Sequence, residues 1–450
     1  MLLEFSIQNF KSFRDKTVFS MEPKQTQKEL EYSIHKQRLG RRVYKALSAS
    51  VIYGPNAAGK TTIIGALETL KNIIVRGNIR DSEIQNSPNI SAYELAYIPN
   101  EQTSNNKPVE FCIKFFAQNI LFEYSLSMDI GEFLELDYPR KIVFESLQVN
   151  NRIIYERKYD NITIGDISEI KQSGQLSDVF IENETAAKAF IQETASDELL
   201  LANGFKQLIS SDLYTIIANW FTKQLLVVFH GDKVRVTRRN SNAQENSILI
   251  EEELEEAAKL FGISSNGICF ADIKGEGKAR LYSYFEKTKE DENDSIRLIP
   301  ADEYESYGTI RFVNLFPIIT GILKKGGVLA IDEFDASIHP MALMNIISIF
   351  HNNEINTKGA QLIFNTHNPI FLNSAVFRKD EIKFIERDPQ GYSSCYSLAD
   401  FYNNNSKYSR KPEDYMKNYF INRYGAIQDI DFSPLFERIM KADDTDEIAK

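Results

Sequence analysis

Cysteine is scarce: Cys112, Cys269 and Cys395 are the only three in 450 residues. Their spacing matches no zinc-ligand pattern and no disulfide framework, which fits a reducing compartment. No apolar run reaches the roughly 18 residues that suggest a membrane-spanning helix, so no membrane contact is expected. The opening MLLEFSIQNF has neither a basic start nor a long apolar stretch, so no secretory signal is visible and the cytoplasm is the expected location. Positive charge is not in excess, since the formal net charge is −11. A uniformly acidic surface repels nucleic acid, so any such contact needs a local basic patch. The candidate clusters are Lys233, Arg235, Arg238 and Arg239, and Arg41, Arg42 and Lys45. For each, a solvated hairpin face is the favoured reading. Internal repeats and sustained heptads are also missing, which excludes a long coiled-coil arm. What remains is an ordinary globular balance, 43% apolar and 26% charged, over a length that allows two or three lobes.

The first residues alternate, with Leu3, Phe5 and Ile7 on one face and Glu4, Ser6 and Gln8 on the other, which predicts a half-buried strand. A second strand is expected at Thr17 to Ser20. Ala49 to Tyr53 reads as a buried strand, and Thr62 to Val75 has helical apolar spacing. Antiparallel strands are expected at Val109 to Phe116, Leu121 to Met128, Lys141 to Val149 and Arg152 to Arg157, with a hairpin turn at Asn150-Asn151. Helical periodicity returns from Ser177 to Gln224, with Leu199, Leu200, Ile209, Leu213, Ile217, Trp220 and Phe221 as candidate core. Ile250 to Phe261 predicts an amphipathic helix, and Lys287 to Asp294 an exposed loop. After residue 300, helices at Arg311 to Leu323 and Met341 to His351 alternate with buried strands at Val328 to Ile331 and Gln361 to Asn365. That alternation predicts an α/β lobe with a parallel sheet. The resulting division is 1–80, a β-rich lobe at 81–160, a mainly helical insertion at 161–298, and 299–450.

The strongest motif is Gly54-Pro55-Asn56-Ala57-Ala58-Gly59-Lys60-Thr61, with Thr62 following, between a predicted strand and a predicted helix. Backbone N–H groups must turn inward around an anion there, and Gly54 and Gly59 supply conformations closed to other residues. The helix N-terminus adds positive potential. Lys60 reaches the β- and γ-phosphates of a nucleotide, and Thr61 offers its hydroxyl to Mg2+. ATP and Mg2+ are the expected ligands. Val328 to Ile331 then leads into Asp332-Glu333. A strand end is where an α/β sheet binds ligands. Asp332 is the expected Mg2+ ligand, and Glu333 the group that polarises the attacking water. His367, after the strand ending in Asn365, is a candidate sensor of the γ-phosphate.

GPNAAGKT, the distant VLAIDEFDASIHP, the later FNTHN and the opening IQNFKSF (Ile7 to Phe13) together resemble the ABC-type ATPase heads of the SMC, RecF and OLD proteins. The nearest resemblance is to compact ATPases of bacterial phage-defence operons, of the RloA/AbiL type and the PARIS ATPase subunit. RKDEIKFIERD (Arg378 to Asp388) and YFINRYGAI (Tyr419 to Ile427) are similar to that subgroup. The resemblance covers both ends of the chain and only the strand-then-helix layout of residues 80 to 300. It implies an ABC-type head, a mixed β lobe plus a parallel P-loop lobe, working as a head-to-head dimer or higher oligomer. It also implies that Ser306, Gly308 and Thr309 cap the γ-phosphate bound by a second copy. An ordinary helix cap by Ser306 or Thr309 is the plain alternative. Asp335 to Pro340 resembles the dimer-contact loop. The glutamine-bearing loop has two candidates, Gln85 and Gln102.

Three functions compete. The first is a sensor or regulator ATPase that passes its nucleotide state to a co-encoded, nuclease-like effector in anti-phage defence. The second is an OLD-type nuclease, with Glu386 and Asp429-Ile430-Asp431 as metal ligands. The third, DNA repair of the RecF kind, needs a basic surface that the overall charge does not supply.

Overall fold

In a computed structural model, residues 1–24, 30–81, 90–103, 107–229, 234–239, 247–286, 296–401, 414–427 and 430–447 are described. Gln85, Lys233, Asp429 and the stretch Lys287 to Asp294 lie outside the described residues. The amino-terminal alternation forms the strand Leu2–Gln8, an inner strand of a seven-stranded antiparallel sheet. A register shift between Leu2 and Glu4 changes the expected facing. Leu2 joins Phe5 and Ile7 in the main core, while Leu3 packs with Tyr44, Phe116 and Leu121. A bulge is invisible to a count of alternating residues, because one extra residue reverses the face. The sheet continues outward from Leu2–Gln8 through Val109–Ala117, Ile120–Asp129, Lys141–Val149, Arg152–Lys158 and Asn161–Ile164, with Thr17–Ser20 on the other edge. Asn150 and Asn151 make the expected two-residue turn, at φ 53° and 66°. Asparagine tolerates that left-handed backbone, which a primed hairpin turn requires.

The second sheet holds the nucleotide motifs. Its order is Leu225–Val228, Val328–Ile331, Gln361–Asn365, Ala49–Tyr53, Ile382–Arg387 and Ser393–Ser397. The first five strands run parallel, and the last pairs antiparallel with its neighbour. Helices Lys60–Arg76, Tyr307–Lys325 and Pro340–His351 accompany it. The chain is therefore a mixed α/β protein with an antiparallel lobe and a parallel P-loop lobe.

Between residues 161 and 298, helix dominates only as far as Gln224. All seven core candidates from Leu199 to Phe221 are buried. Leu201–Ile209 and Trp220–Gln224 are wide π-helical turns on either side of the helix Ser211–Asn219. Beyond Leu225 the sequence pattern missed a further sheet, built from Arg238–Arg239, Ser247–Leu249, Gly267–Asp272, Lys278–Phe285 and Arg297–Pro300. Its strands lack clean alternation because Gly267–Asp272 is buried along its whole length. The acidic helix Glu252–Phe261 packs on it through Leu254, Ala257 and Ala258.

The helical stretch is locked to the antiparallel sheet by one carboxylate. Glu145 is fully buried. It accepts from Tyr124 Oη at 3.1 Å, Tyr155 Oη at 2.9 Å, Leu200 N at 2.7 Å and Leu201 N at 2.9 Å. The two amides open the first π-helical turn, where backbone N–H groups have no partner within the helix. Burial pushes the Glu145 carboxyl above the ordinary carboxylate range. Arg157, also fully buried, donates to the carbonyls of Tyr159, Glu198 and Ala195. Trp220 stacks on Phe115 with ring centroids 4.0 Å apart, and it is the chain's one tryptophan. Its fluorescence therefore reports on this interface. Glu145→Ala strands four buried donors and should destabilise the interface by about 3 kcal/mol. The check is urea unfolding followed by tryptophan emission, and an unchanged midpoint would refute the role given to Glu145.

Candidate nucleotide site

The phosphate loop leaves the strand Ala49–Tyr53 and enters the helix Lys60–Arg76. Close packing dictates its glycines. A Cβ on Gly54 would stand 2.3 Å from the carbonyl oxygen of Ile385. Gly59 has φ 111°, and a Cβ there would come 2.9 Å from Ser12 Oγ and 3.0 Å from the Phe13 ring. Ala57 adopts φ 61°, so the loop curls even where it lacks glycine. Two other segments back it. Ser393 Oγ donates to the Ala58 carbonyl at 2.5 Å, and Ser393 N donates to the Ser12 carbonyl at 2.8 Å.

Lys60 is buried, and its ammonium donates to the carbonyls of Gly54 and Pro55, both at 2.8 Å. Burial pushes its pKa down to about 8, against the pull of Asp332 and Glu333. Such an ammonium is held inside the loop, where phosphate oxygens would replace its carbonyl partners. Thr61 Oγ donates to Asp332 Oδ1 at 2.9 Å, so the two proposed metal ligands, 271 residues apart, meet. Asn365 joins them: its amide donates to the same Asp332 oxygen, while its Oδ1 accepts from Glu333 N at 2.6 Å. Glu333 sits at φ 49°, an uncommon conformation for a side-chain-bearing residue. The buried Arg311 guanidinium donates to its carbonyl. Both backbone polar groups of Glu333 are thus fixed by buried side chains, which holds the strained turn and aims the carboxylate.

A cleft of about 360 Å³ is lined by Asn56, Lys60, Thr61, Glu333, Asn365 and His367. Partial burial and the Lys60 charge lower the pKa of His367, against the pull of Asp335, Glu333 and Asp332. Lys11 and Ser12 line the same cleft. Among the described residues, Ser12 Oγ has no hydrogen-bond partner although it is buried there, which suits a group that could bind a ligand. Sequence reasoning gave Lys11, Ser12, Asn365 and Arg311 no role. The IQNFKSF resemblance and the position of Asn365 at a strand end were the available signals. The donor set, a cradle with a buried ammonium and a paired hydroxyl and carboxylate, fits a Mg2+-bound nucleotide.

Ser306, Gly308 and Thr309 do not line this cleft in their own chain. Ser306 caps the helix Tyr307–Lys325: its Oγ accepts from Thr309 N at 3.1 Å and shares a 2.8 Å hydrogen bond with Thr309 Oγ1. Gly308 is packed so that a Cβ would meet the Ser337 carbonyl at 2.4 Å. Gln102 also lies outside the cleft lining, near Gly391. Glu386 accepts from Tyr396 Oη, and Asp431 from Ser433 N. Among the described residues, no group of three or more His, Cys, Asp or Glu side chains stands together to hold a metal ion. Nor is any helix among them long and apolar enough to cross a membrane.

A parallel sheet that joins a phosphate loop to a strand-end Asp-Glu pair defines a P-loop ATPase-family domain. The family model described as "AAA domain, putative AbiEii toxin, Type IV TA system" matches residues 49–373, and the chain belongs to that family. The match starts at the phosphate-loop strand and ends beyond His367, so it leaves Lys11, Ser12 and Ser393 outside. No curated protein matches the chain. Among solved structures, it is similar to the SMC head domain from Thermotoga maritima at 12% identity, covering 88% of this chain and 98% of that one, with a TM-score of 0.35.

Asn365 hydrogen-bonds to both Asp332 and Glu333 without being an acid or base itself, the arrangement expected of a positioning residue. Asn365→Ala should lower kcat for ATP about 10- to 100-fold, the usual cost of losing a group that orients a ligand. Nucleotide affinity should change much less. Steady-state phosphate release beside fluorescent-nucleotide titration separates the two, and wild-type turnover would remove Asn365 from the site.

Proposed function

We propose that this chain is an ATP-hydrolysing head that closes on a second copy of itself and passes its nucleotide state to a partner effector in bacterial anti-phage defence. The observation that carries the ATPase reading is the meeting of Lys60, Thr61 and Glu333 at one cleft, with Asp332 bonded to Thr61 beside it. Lys60 and the loop amides would hold the β- and γ-phosphates. Mg2+, held by Thr61 and Asp332, would offset the charge of the phosphate oxygens. The Glu333 carboxylate would take a proton from the attacking water as oxygen bonds to the γ-phosphorus and the bond to ADP breaks. His367 would donate a hydrogen bond to the transferred group.

Two points support dimer closure. The helix start at Ser306 is not part of the chain's own cleft lining, which leaves it free to meet a phosphate bound by another copy. That start is also firmly anchored, since Glu305 accepts from Ser264 N, Ser265 N, Ser265 Oγ and Ser283 Oγ. The family description, which names a toxin and a toxin–antitoxin system, supports the defence setting. The OLD-type nuclease reading gains no support from the partners of Glu386 and Asp431.

Lys60→Ala should abolish nucleotide binding. Glu333→Gln should retain it while slowing turnover about 100-fold or more. Wild-type turnover in purified Glu333→Gln would reject the catalytic assignment.

Closure is tested separately in the Glu333→Gln background with ATP and Mg2+, by light scattering after size exclusion. Ser306→Asp keeps a capping oxygen but sets a negative charge against the γ-phosphate. The dimer fraction should fall while single-head ATP binding persists. An unchanged dimer fraction would sink the trans arrangement.

A further inference from the structure

We propose that the hairpin Ile34–Leu39/Arg42–Leu47, with the cleft at its foot, binds the phosphodiester backbone of double-stranded nucleic acid. Residues 36 to 45 read KQRLGRRVYK, five cations and no acid in a chain of net charge −11. The hairpin register sets Lys36 directly opposite Lys45 and Arg38 opposite Val43, so all four share one exposed face. The other face is committed to the fold: Tyr44 is buried edge-on against Phe116, and Arg42 lies over the Tyr44 ring at 4.6 Å. Like charges directly opposed on a strand pair are destabilising. Among the described residues, no ion pair or side-chain hydrogen bond involves Lys36, Arg38, Arg41 or Lys45 to offset this cost. Some exposed arginines elsewhere are matched: Arg80 pairs with Asp197 and Glu198, and Arg152 with Asp166 and Glu169. Arg238, in the other basic cluster, is held by Glu251 and lies over Phe270.

The cleft beside the hairpin measures about 520 Å³ and extends the basic surface. Lys36, Lys325 and Lys358 line it with the amides of Gln118 and Asn353, and Glu31 is the one acid among its lining residues. The cations thus come from the hairpin, the end of the helix Tyr307–Lys325 and the turn before Gln361–Asn365. Six-residue strands span about 20 Å. That length exceeds a single phosphate ester and calls for an extended polyanion. The exposed hairpin face carries no aromatic ring on which a single-stranded base would stack. A two-stranded ribbon has the width that a duplex groove admits. The surface lies at the amino ends of Val328–Ile331 and Gln361–Asn365, next to Gly326 and Gly359. The ATP cleft lies at the carboxyl ends of the same strands, so the two sites are separable.

The test is fluorescence anisotropy of the full chain with a labelled DNA duplex, at about 50 mM and about 200 mM salt. Wild type should lose on the order of 100-fold in affinity across that range, since each neutralised phosphate adds about 0.9 to the salt slope. The combined variant Lys36→Gln, Arg38→Gln, Lys45→Gln, Lys358→Gln should bind at least about 30-fold more weakly at low salt and flatten the slope by about 3. Its binding of a fluorescent ATP analogue should stay unchanged, which shows an intact fold. Lys60→Ala should leave duplex binding unchanged, so failure here and failure of the ATPase reading are distinguishable. Equal binding by wild type and variant, no binding by wild type, or a preference for phosphatidylserine vesicles over duplex would each overturn the proposal.

Discussion

The P-loop lobe depends on one buried amide between two carboxylate residues. Asn365 ends the strand that separates the phosphate-loop strand from the strand carrying Asp332. From there its amide N–H donates a hydrogen bond to Asp332, and its Oδ1 accepts one from the Glu333 backbone N–H. A carboxylate could not serve both neighbours, because it has no N–H to offer Asp332. The amide therefore fixes the spacing between Thr61 on one side of the sheet order and Glu333 on the other. The parallel register supports it: Ile331 is level with Phe364, and Phe364 with Val51. Strand ends that are level bring their loops to one place, which is why an α/β sheet builds its site there.

That site was largely legible because its chemistry is local in sequence. Glycines before Lys60, and an apolar strand before Asp332, are short patterns with a direct physical cause. The strands Ala49–Tyr53, Val328–Ile331 and Gln361–Asn365 were readable to the residue, since buried strands show as unbroken apolar runs with polar ends. Other features depend on contacts that no local pattern carries. Lys11 and Ser12 reach the cleft only because Asn9 and Lys11 adopt φ 52° and 50° and fold the turn between Phe10 and Phe13. Leu3 turns to a different core through a bulge. The sheet between Leu225 and Pro300 stayed hidden because its central strand is buried on both faces and its edge strands are very short.

Net charge, here −11, is a property of the whole chain, whereas binding depends on charge within a screening length of about 10 Å. Two basic clusters looked alike in sequence. They differ in the structure: Arg238 of one is held by Glu251, while Lys36, Arg38 and Lys45 of the other face outward together. Pairing, not count, decides which cations are available to a partner.

The helix Tyr307–Lys325 joins the remaining pieces. Its first turn carries Ser306, Gly308 and Thr309, and its second carries Arg311, which holds the Glu333 carbonyl. Five residues of helix span about 7.5 Å, so the two features form one rigid unit. Gly308 lies against Ser337, in the loop that follows the Asp-Glu pair, and a side chain at Gly308 would push that loop away. In the proposed closed dimer, a phosphate seated on Ser306 bears on this unit from outside, while Glu333 hangs from its inner face. Closure and catalysis then need no long-range relay. The residues that would sense the second copy's nucleotide and the one that holds the Glu333 carbonyl lie on consecutive turns of one helix, so in that dimer a shift at the first turn would bear on the turn at Glu333 directly.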